Sequence, residues 1–210
     1  MRPAKEPSTT TADESGEEST RRIDKETINK LPLKTYEGPI ILAEDQAAME
    51  AAVADLRKEA ILGFDTESRP AFKKGENYGV SLLQLAGTRA VYLFQLSRYQ
   101  DLVPLFQLLE DPAIVKAGVA IHDDIRKLNE LHPFTAAGFI EIADITQKSG
   151  IVNTGLRSLT AFFLGFRISK RAQVSNWARQ KLTPAQIQYA ATDAWTSRRL
   201  YECCQQRGWV

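Results

Sequence analysis

Five side chains in three separate segments have the types and spacing to do chemistry together. They are Asp65 and Glu67 in Ile61-Leu-Gly-Phe-Asp-Thr-Glu67, Asp124 in Ala117-Gly-Val-Ala-Ile-His-Asp-Asp124, and Tyr189 with Asp193 in Tyr189-Ala-Ala-Thr-Asp193. A carboxylate at the end of an apolar strand is costly unless something compensates its charge. Several carboxylates converging on one point imply a divalent cation, and an all-oxygen donor set favours Mg²⁺ or Mn²⁺ over zinc. Such ions suit an enzyme that acts on phosphates.

The spacing supports convergence. Asp65 and Glu67 are two residues apart at a strand's end, so their side chains leave the same face. Tyr189 and Asp193 are four apart on a helix, which puts a phenol and a carboxylate one turn apart on one face. Each residue also has a plainer reading. Asp124, like its neighbour Asp123, suits a helix N-terminus by charge alone, and Tyr189 suits a core aromatic with a satisfied hydroxyl. Other chemistries lack support. His122 and His132 are too few and too far apart for a zinc site, and the only cysteines, Cys203 and Cys204, are sequence neighbours. No Ser/His/Asp motif and no Gly-rich phosphate loop occurs.

The elements that must position these residues follow from hydrophobic pattern. Ala60-Ile-Leu-Gly-Phe64 reads as a buried strand, and Val80–Leu85 and Ala90–Phe94 as a hairpin across Gly87-Thr-Arg89. Ile114–Ile121 is another apolar strand, Ile40–Leu42 leads into the domain, and Phe139–Ala143 is a further short strand. Helices are expected over Ala47–Leu56, Leu102–Leu109, Asp123–Leu131 and Leu156–Leu164. A long one begins at Thr183-Pro-Ala-Gln186, which carries a capping box with Pro at the first position. Strands followed by alternating helices and strands imply an α/β domain with a mixed sheet flanked by helices.

Composition sets the remaining bounds. The 210 residues are 43% apolar and 25% charged, ordinary for a soluble globular domain plus a tail. No apolar run approaches a membrane span and no secretory signal is visible, so an intracellular, cytoplasmic location is expected, with no membrane partner. Residues 1–35 are expected to be a disordered N-terminal tail, since Ser8–Thr20 is almost free of apolar residues, and the folded domain is expected over 36–210. The net charge of +1 hides a gradient: residues 36–150 carry 11 basic and 17 acidic side chains, residues 151–210 carry 9 and 2. An acidic part that chelates cations followed by a basic part that grips a polyanion suits a nuclease, although a solvated basic helix face would look alike.

The three motifs in this order resemble those of the DEDD superfamily of 3′–5′ exonucleases, in the subgroup with tyrosine in the third motif. The chain is most similar to the ribonuclease D-like branch with its Werner-type exonuclease domains, over about residues 36–207, and Ser175-Asn-Trp177 and Gln188–Ala194 add to the likeness. The resemblance implies a ribonuclease H-like fold with a five-stranded mixed sheet. It implies removal of nucleoside 5′-monophosphates from a free 3′ end of DNA or RNA by a two-metal-ion mechanism with Mg²⁺ or Mn²⁺. Carried over residue by residue, Asp65, Glu67 and Asp193 would hold the first ion, Asp65 and Asp124 the second, and Tyr189 would hydrogen-bond the attacking water. Thr66, Lys73, Lys74, Lys170, Arg171 and Asn176 would stand where substrate passes. Two departures matter: Arg126 replaces a bulky aromatic of the Werner-type domains, and Ser68–Glu76 keeps a basic character but not the family's residues. No ribonuclease D-type helical domain or helicase is expected to follow, and any processivity is expected from this domain or a partner. A non-catalytic nucleic-acid-binding module on the same fold is the alternative, disfavoured because all five motif positions are intact.

Overall fold

Strands rich in Leu, Val and Phe with no polar alternation must be covered on both faces, and the tertiary structure meets that demand with one mixed sheet between helices. A computed structural model of the chain describes residues 21–73 and 75–210. Its strands are β1 (Ile40–Ala43), β2 (Ile61–Ser68), β3 (Val80–Ala86), β4 (Val91–Gln95), β5 (Val115–Gly118) and β6 (Phe139–Glu141). They lie in the order β1-β4-β3-β2-β5-β6. The β2–β3 and β3–β4 pairs are antiparallel, while β1–β4, β2–β5 and β5–β6 are parallel.

The sheet therefore has six strands among the described residues, where the resemblance implied five. Both edges are short strands. Ile40–Ala43 adds beyond the hairpin, in register with Val91–Phe94, and the three-residue β6 pairs outside β5. Helix α5 (Ile142–Lys148) follows β6 at once, so the expected strand over Phe139–Ala143 stops at Glu141.

One face of the sheet is covered by α2 (Gln46–Leu56), α3 (Val103–Glu110) and α4 (His122–Leu131), which pack on Leu62, Phe64, Leu83 and Leu85. The other is covered by α7 (Pro184–Gln206), whose Ala190, Ala191 and Ala194 lie against Leu82, Ala86, Val91 and Leu93. Alternation along β2 thus sends Phe64 and Thr66 toward one face and Asp65 and Glu67 toward the other. Small side chains along α7 allow a close approach. At Gly63 a Cβ would lie 2.0 Å from the Ala194 carbonyl oxygen, so only glycine fits between β2 and α7. Arg198 completes the clamp, donating to the Ile61 carbonyl and pairing with Glu59 at 3.4 Å and Glu202 at 3.0 Å.

The N-terminal segment departs from expectation. Within the stretch read as a disordered tail, residues 1–20 lie outside the described residues, but Lys25–Lys30 forms a short helix α1 capped by Asp24, with Ile28 buried. Backbone pairing does what composition did not suggest. Arg21 N donates to Gly150 O at 2.8 Å, Val152 N to Arg21 O at 3.1 Å, Arg167 N to Pro32 O at 2.9 Å and Lys34 N to Arg167 O at 3.0 Å. Main-chain hydrogen bonds need no apolar side chains, so one buried isoleucine suffices to seat this strap. Between it and α7, α6 (Leu156–Leu159) continues as a π-helical turn over Thr160–Leu164 and stops at Gly165, φ +70°. Among the described residues no helix is long and apolar enough to cross a membrane.

Candidate active site

The close contact at Gly63 has a direct consequence for the residues beside it on both elements. Asp193, preceding Ala194 on α7, faces Asp65 and Glu67, and carboxylate oxygens of these three lie within 4.8 Å of one another. Such a gathering of like charge, with Asp193 buried and its Oδ1 lacking any hydrogen-bond partner among the described residues, asks for a cation. Three carboxylates with no nitrogen or sulfur donor make a hard-oxygen set, and the fit to Mg²⁺ or Mn²⁺ rests on that donor chemistry. Burial, then the charges of Asp193 and Asp124, push the Asp65 carboxyl well above the ordinary carboxylate range. Glu67 is raised by burial and then by the Asp65, Asp193 and Asp124 charges. Burial lifts Asp193 to about 7, against the pull of the neighbouring Tyr189 hydroxyl.

Asp124 stands outside this trio, in the first turn of α4, near enough for its charge to act on Asp65 and Glu67. The Thr66 hydroxyl donates to its Oδ1 at 2.6 Å, and burial, outweighing that bond, raises its pKa to about 6. Thr66 is thus occupied in tethering a carboxylate while also lining the cleft. The turn that delivers Asp124 is unusual: Ala120 adopts φ +61°, a left-handed conformation that costs a non-glycine residue about 1 kcal/mol. Glu141 holds it there, accepting from Ala120 N at 2.9 Å and Ile121 N at 2.7 Å.

Tyr189 lies one turn before Asp193 and lines the same cleft. Its ring packs at 5.9 Å from that of Trp177, which is fully buried, and Gln186 ties the preceding loop down by donating to Ser175 Oγ at 3.0 Å and Asn176 O at 3.1 Å. Burial, then the Asp193 and Glu67 charges, raise its phenol above the ordinary tyrosine value, so the hydroxyl stays protonated. The cleft measures about 350 Å³ and runs from Asp65, Glu67 and Asp193 to Arg157, Ser169 and Lys170. The arrangement can hold hard cations at one end, orient a water through a phenol and accept an anionic chain from the other.

A family model described as a 3′–5′ exonuclease matches residues 40–207.

The chain belongs to the 3′–5′ exonuclease family.

All five motif residues fall within the exonuclease match. The chain is similar to the bifunctional 3′–5′ exonuclease/ATP-dependent helicase WRN of Mus musculus, 30% identical over 185 residues that cover 83% of this chain and 13% of that protein. It is 31% identical to a 3′–5′ exonuclease of Arabidopsis thaliana, covering 75% of this chain and 59% of the relative. A ribonuclease D of Gluconacetobacter diazotrophicus is 29% identical, covering 82% and 44%. The chain thus spans less than two thirds of the length of these relatives. In fold it resembles the crystal structure of the Aedes aegypti Nibbler EXO domain, with a TM-score of 0.76 at 22% identity, covering 83% of this chain and 92% of that one. Escherichia coli RNase D follows with a TM-score of 0.71 at 21% identity, covering 83% and 47%.

Within this exonuclease domain the remaining sequence candidates scatter. Lys170 lines the cleft, and Arg171 lines an adjoining hollow. Lys73 is exposed in the loop after β2, with its backbone N–H donating to Glu76, and it does not line the cleft. Asn176 turns its Oδ1 to the Ala178 N–H at 3.1 Å, closing its own loop. Lys74 lies outside the described residues.

Three residues of consequence stand outside the sequence motifs. Glu141 ends the short strand β6 and caps α5. Arg157 enters the cleft with a buried Nε that has no partner among the described residues. Gln84, fully buried opposite Asp65 on β3, likewise leaves both amide atoms unpartnered among the described residues. A polar residue amid Val80-Ser-Leu-Leu-Gln-Leu85 was the available clue for Gln84.

Proposed function

We propose that the chain is a metal-dependent 3′–5′ exonuclease that removes nucleoside 5′-monophosphates from a free 3′ end of DNA or RNA. The observation that carries this reading is the meeting of Asp65, Glu67 and Asp193 beside Tyr189 in a cleft that Arg157 and Lys170 also line. Asp65, Glu67 and Asp193 would hold one divalent cation, Mg²⁺ or Mn²⁺. Asp65 and Asp124 would share a second, Asp124 directly or through water. The pair of cations would acidify the attacking water and offset the charge that develops on the leaving 3′ oxygen.

The chain's own residues supply the rest. The Tyr189 hydroxyl, kept protonated by its surroundings, orients the water's oxygen toward the terminal phosphorus rather than removing its proton. Attack breaks the bond between phosphorus and the 3′ oxygen of the penultimate nucleotide, which leaves with a proton as a new 3′ hydroxyl. Thr66 keeps Asp124 at the site through its hydroxyl. Lys170 and Arg171 would meet the phosphate backbone on the way in, and Lys73 and Lys74 could reach it only from the loop after β2. A cytoplasmic location is part of the same proposal.

The test uses 5′-labelled DNA and RNA oligonucleotides, single-stranded or with a recessed 3′ end, incubated with Mg²⁺, Mn²⁺ or EDTA. A metal-dependent ladder shortening from the 3′ end, absent in Asp65→Ala, is expected. Intact oligonucleotides under every condition would overturn the reading in favour of a binding module.

A further inference from the structure

Beyond the carboxylates, the cleft opens into a second concavity of about 300 Å³ lined by Arg157, Arg167, Lys170 and Arg171 together with Leu33 and Ser169. Arg157, Ser169 and Lys170 line both hollows, so the two are continuous. Four cations share this space, no acidic residue lines it, and none of the four forms an ion pair among the described residues. Elsewhere in the same fold basic side chains do find carboxylates, as Arg126 does with Asp123 and Glu130 and Arg198 with Glu59 and Glu202. Clustering like charge without counter-charge raises the energy of the empty site and favours an anion.

The concavity is also built, not incidental. The strap of residues 21–35 holds two of the three arginines in place: Arg157 Nη2 donates to Asn29 Oδ1 at 2.7 Å, and Arg167 Nε donates to Leu31 O at 3.0 Å. The same strap contributes Leu33, whose side chain is half exposed at the wall. Arg157 also retains a buried Nε–H without a partner among the described residues, so its guanidinium is not fully satisfied by the protein.

We infer that this strap-built concavity is a phosphate site for the single strand that feeds its 3′ end into the catalytic cleft. It holds one backbone phosphate upstream of the scissile bond, with Leu33 against the adjoining sugar or base. Its size suits a phosphate with one sugar and not a duplex. The inference rests on the exonuclease reading for its substrate, and it makes the N-terminal strap part of the substrate-binding surface.

The test replaces single phosphates, one at a time, by uncharged methylphosphonates along a fluorescent single-stranded oligonucleotide of about ten nucleotides. Binding to the full chain is read by anisotropy in EDTA. One upstream linkage is expected to weaken wild-type binding by roughly five- to tenfold while its neighbours do not, with the same replacement costing less than about twofold in Arg157→Gln. Should Arg157→Gln disturb the strap, shown by a lowered melting temperature, the exposed Lys170→Gln serves in its place. The salt dependence of binding should flatten by roughly 0.7 in slope per lost contact. A penalty of equal size in wild type and variants, or none at any linkage, would overturn the phosphate site. Inorganic phosphate or an acidic peptide displacing nothing at millimolar concentration supports a nucleic-acid backbone, and efficient displacement by either overturns that assignment. If no oligonucleotide is ever shortened in Mg²⁺ or Mn²⁺, the exonuclease reading fails while the linkage scan still reports on the site.

Discussion

The two ends of the cleft are built by opposite means. At the acidic end, Asp65, Glu67 and Asp193 sit on β2 and α7, two regular elements pressed together at Gly63 and locked by Arg198. At the basic end, Arg157 comes from a four-residue helix, Arg167, Lys170 and Arg171 from a connecting stretch, and the wall from a strap that is mostly irregular. The acidic end tolerates little positional error, because cation ligands must converge within a few tenths of an ångström. The basic end binds a flexible polyanion whose contacts are spread over many groups, so approximate placement suffices. Rigid elements carry the chemistry and loops carry the grip.

The comparison breaks most visibly at the ligands. Asp65→Ala or Asp193→Ala should lower nuclease activity by on the order of 10³-fold or more while leaving the far-ultraviolet circular dichroism unchanged. Activity within tenfold of wild type would show that the trio is not the metal site. Tyr189→Phe should reduce turnover by roughly 10- to 100-fold yet keep Mn²⁺ affinity, measured by calorimetry, because it removes an orienting hydroxyl and no ligand.

Gly63→Ala tests the clamp itself. A methyl group would meet the Ala194 carbonyl at 2.0 Å, so α7 must retreat, at a cost of about 1–3 kcal/mol in urea denaturation and with a drop in metal affinity. Unchanged stability would contradict the close approach.

A smaller effect separates charge from geometry. Asp124 and Asp193 titrate near 6 and 7 in the metal-free fold, against an ordinary value of 3.8. The folded chain therefore binds protons that the unfolded chain has released. Their stabilising contribution is fully present below about pH 4 and is lost as pH rises to about 7. Metal-free wild type should lose melting temperature between pH 5 and pH 8 more steeply than Asp193→Asn, and Mn²⁺ at pH 8 should restore it. Identical pH slopes for the two proteins would remove the electrostatic argument. The smallest effect is expected at Asn176→Ala, less than about twofold in KM, since its side chain serves its own loop.

The sequence by itself determined the acidic end. A carboxylate pair closing an apolar strand, a phenol and a carboxylate one helical turn apart, and a capping box that fixes where that helix starts are local patterns. Local patterns survive folding because backbone geometry enforces them. They sufficed for Asp65, Glu67, Tyr189 and Asp193, and for most strands and helices. Tertiary structure alone decided what depends on residues distant in sequence. It brought Asp124 beside β2, bonded to Thr66, and used Glu141 to hold the left-handed turn at Ala120. It put β1 and β6 at the two edges of the sheet. It also seated residues 21–35 through main-chain hydrogen bonds to Gly150 and Arg167, although that segment's side chains are mostly polar. Backbone donors and acceptors are the same in every residue, so which of them will pair, and which arginines they thereby bring together, has no signature in composition or spacing.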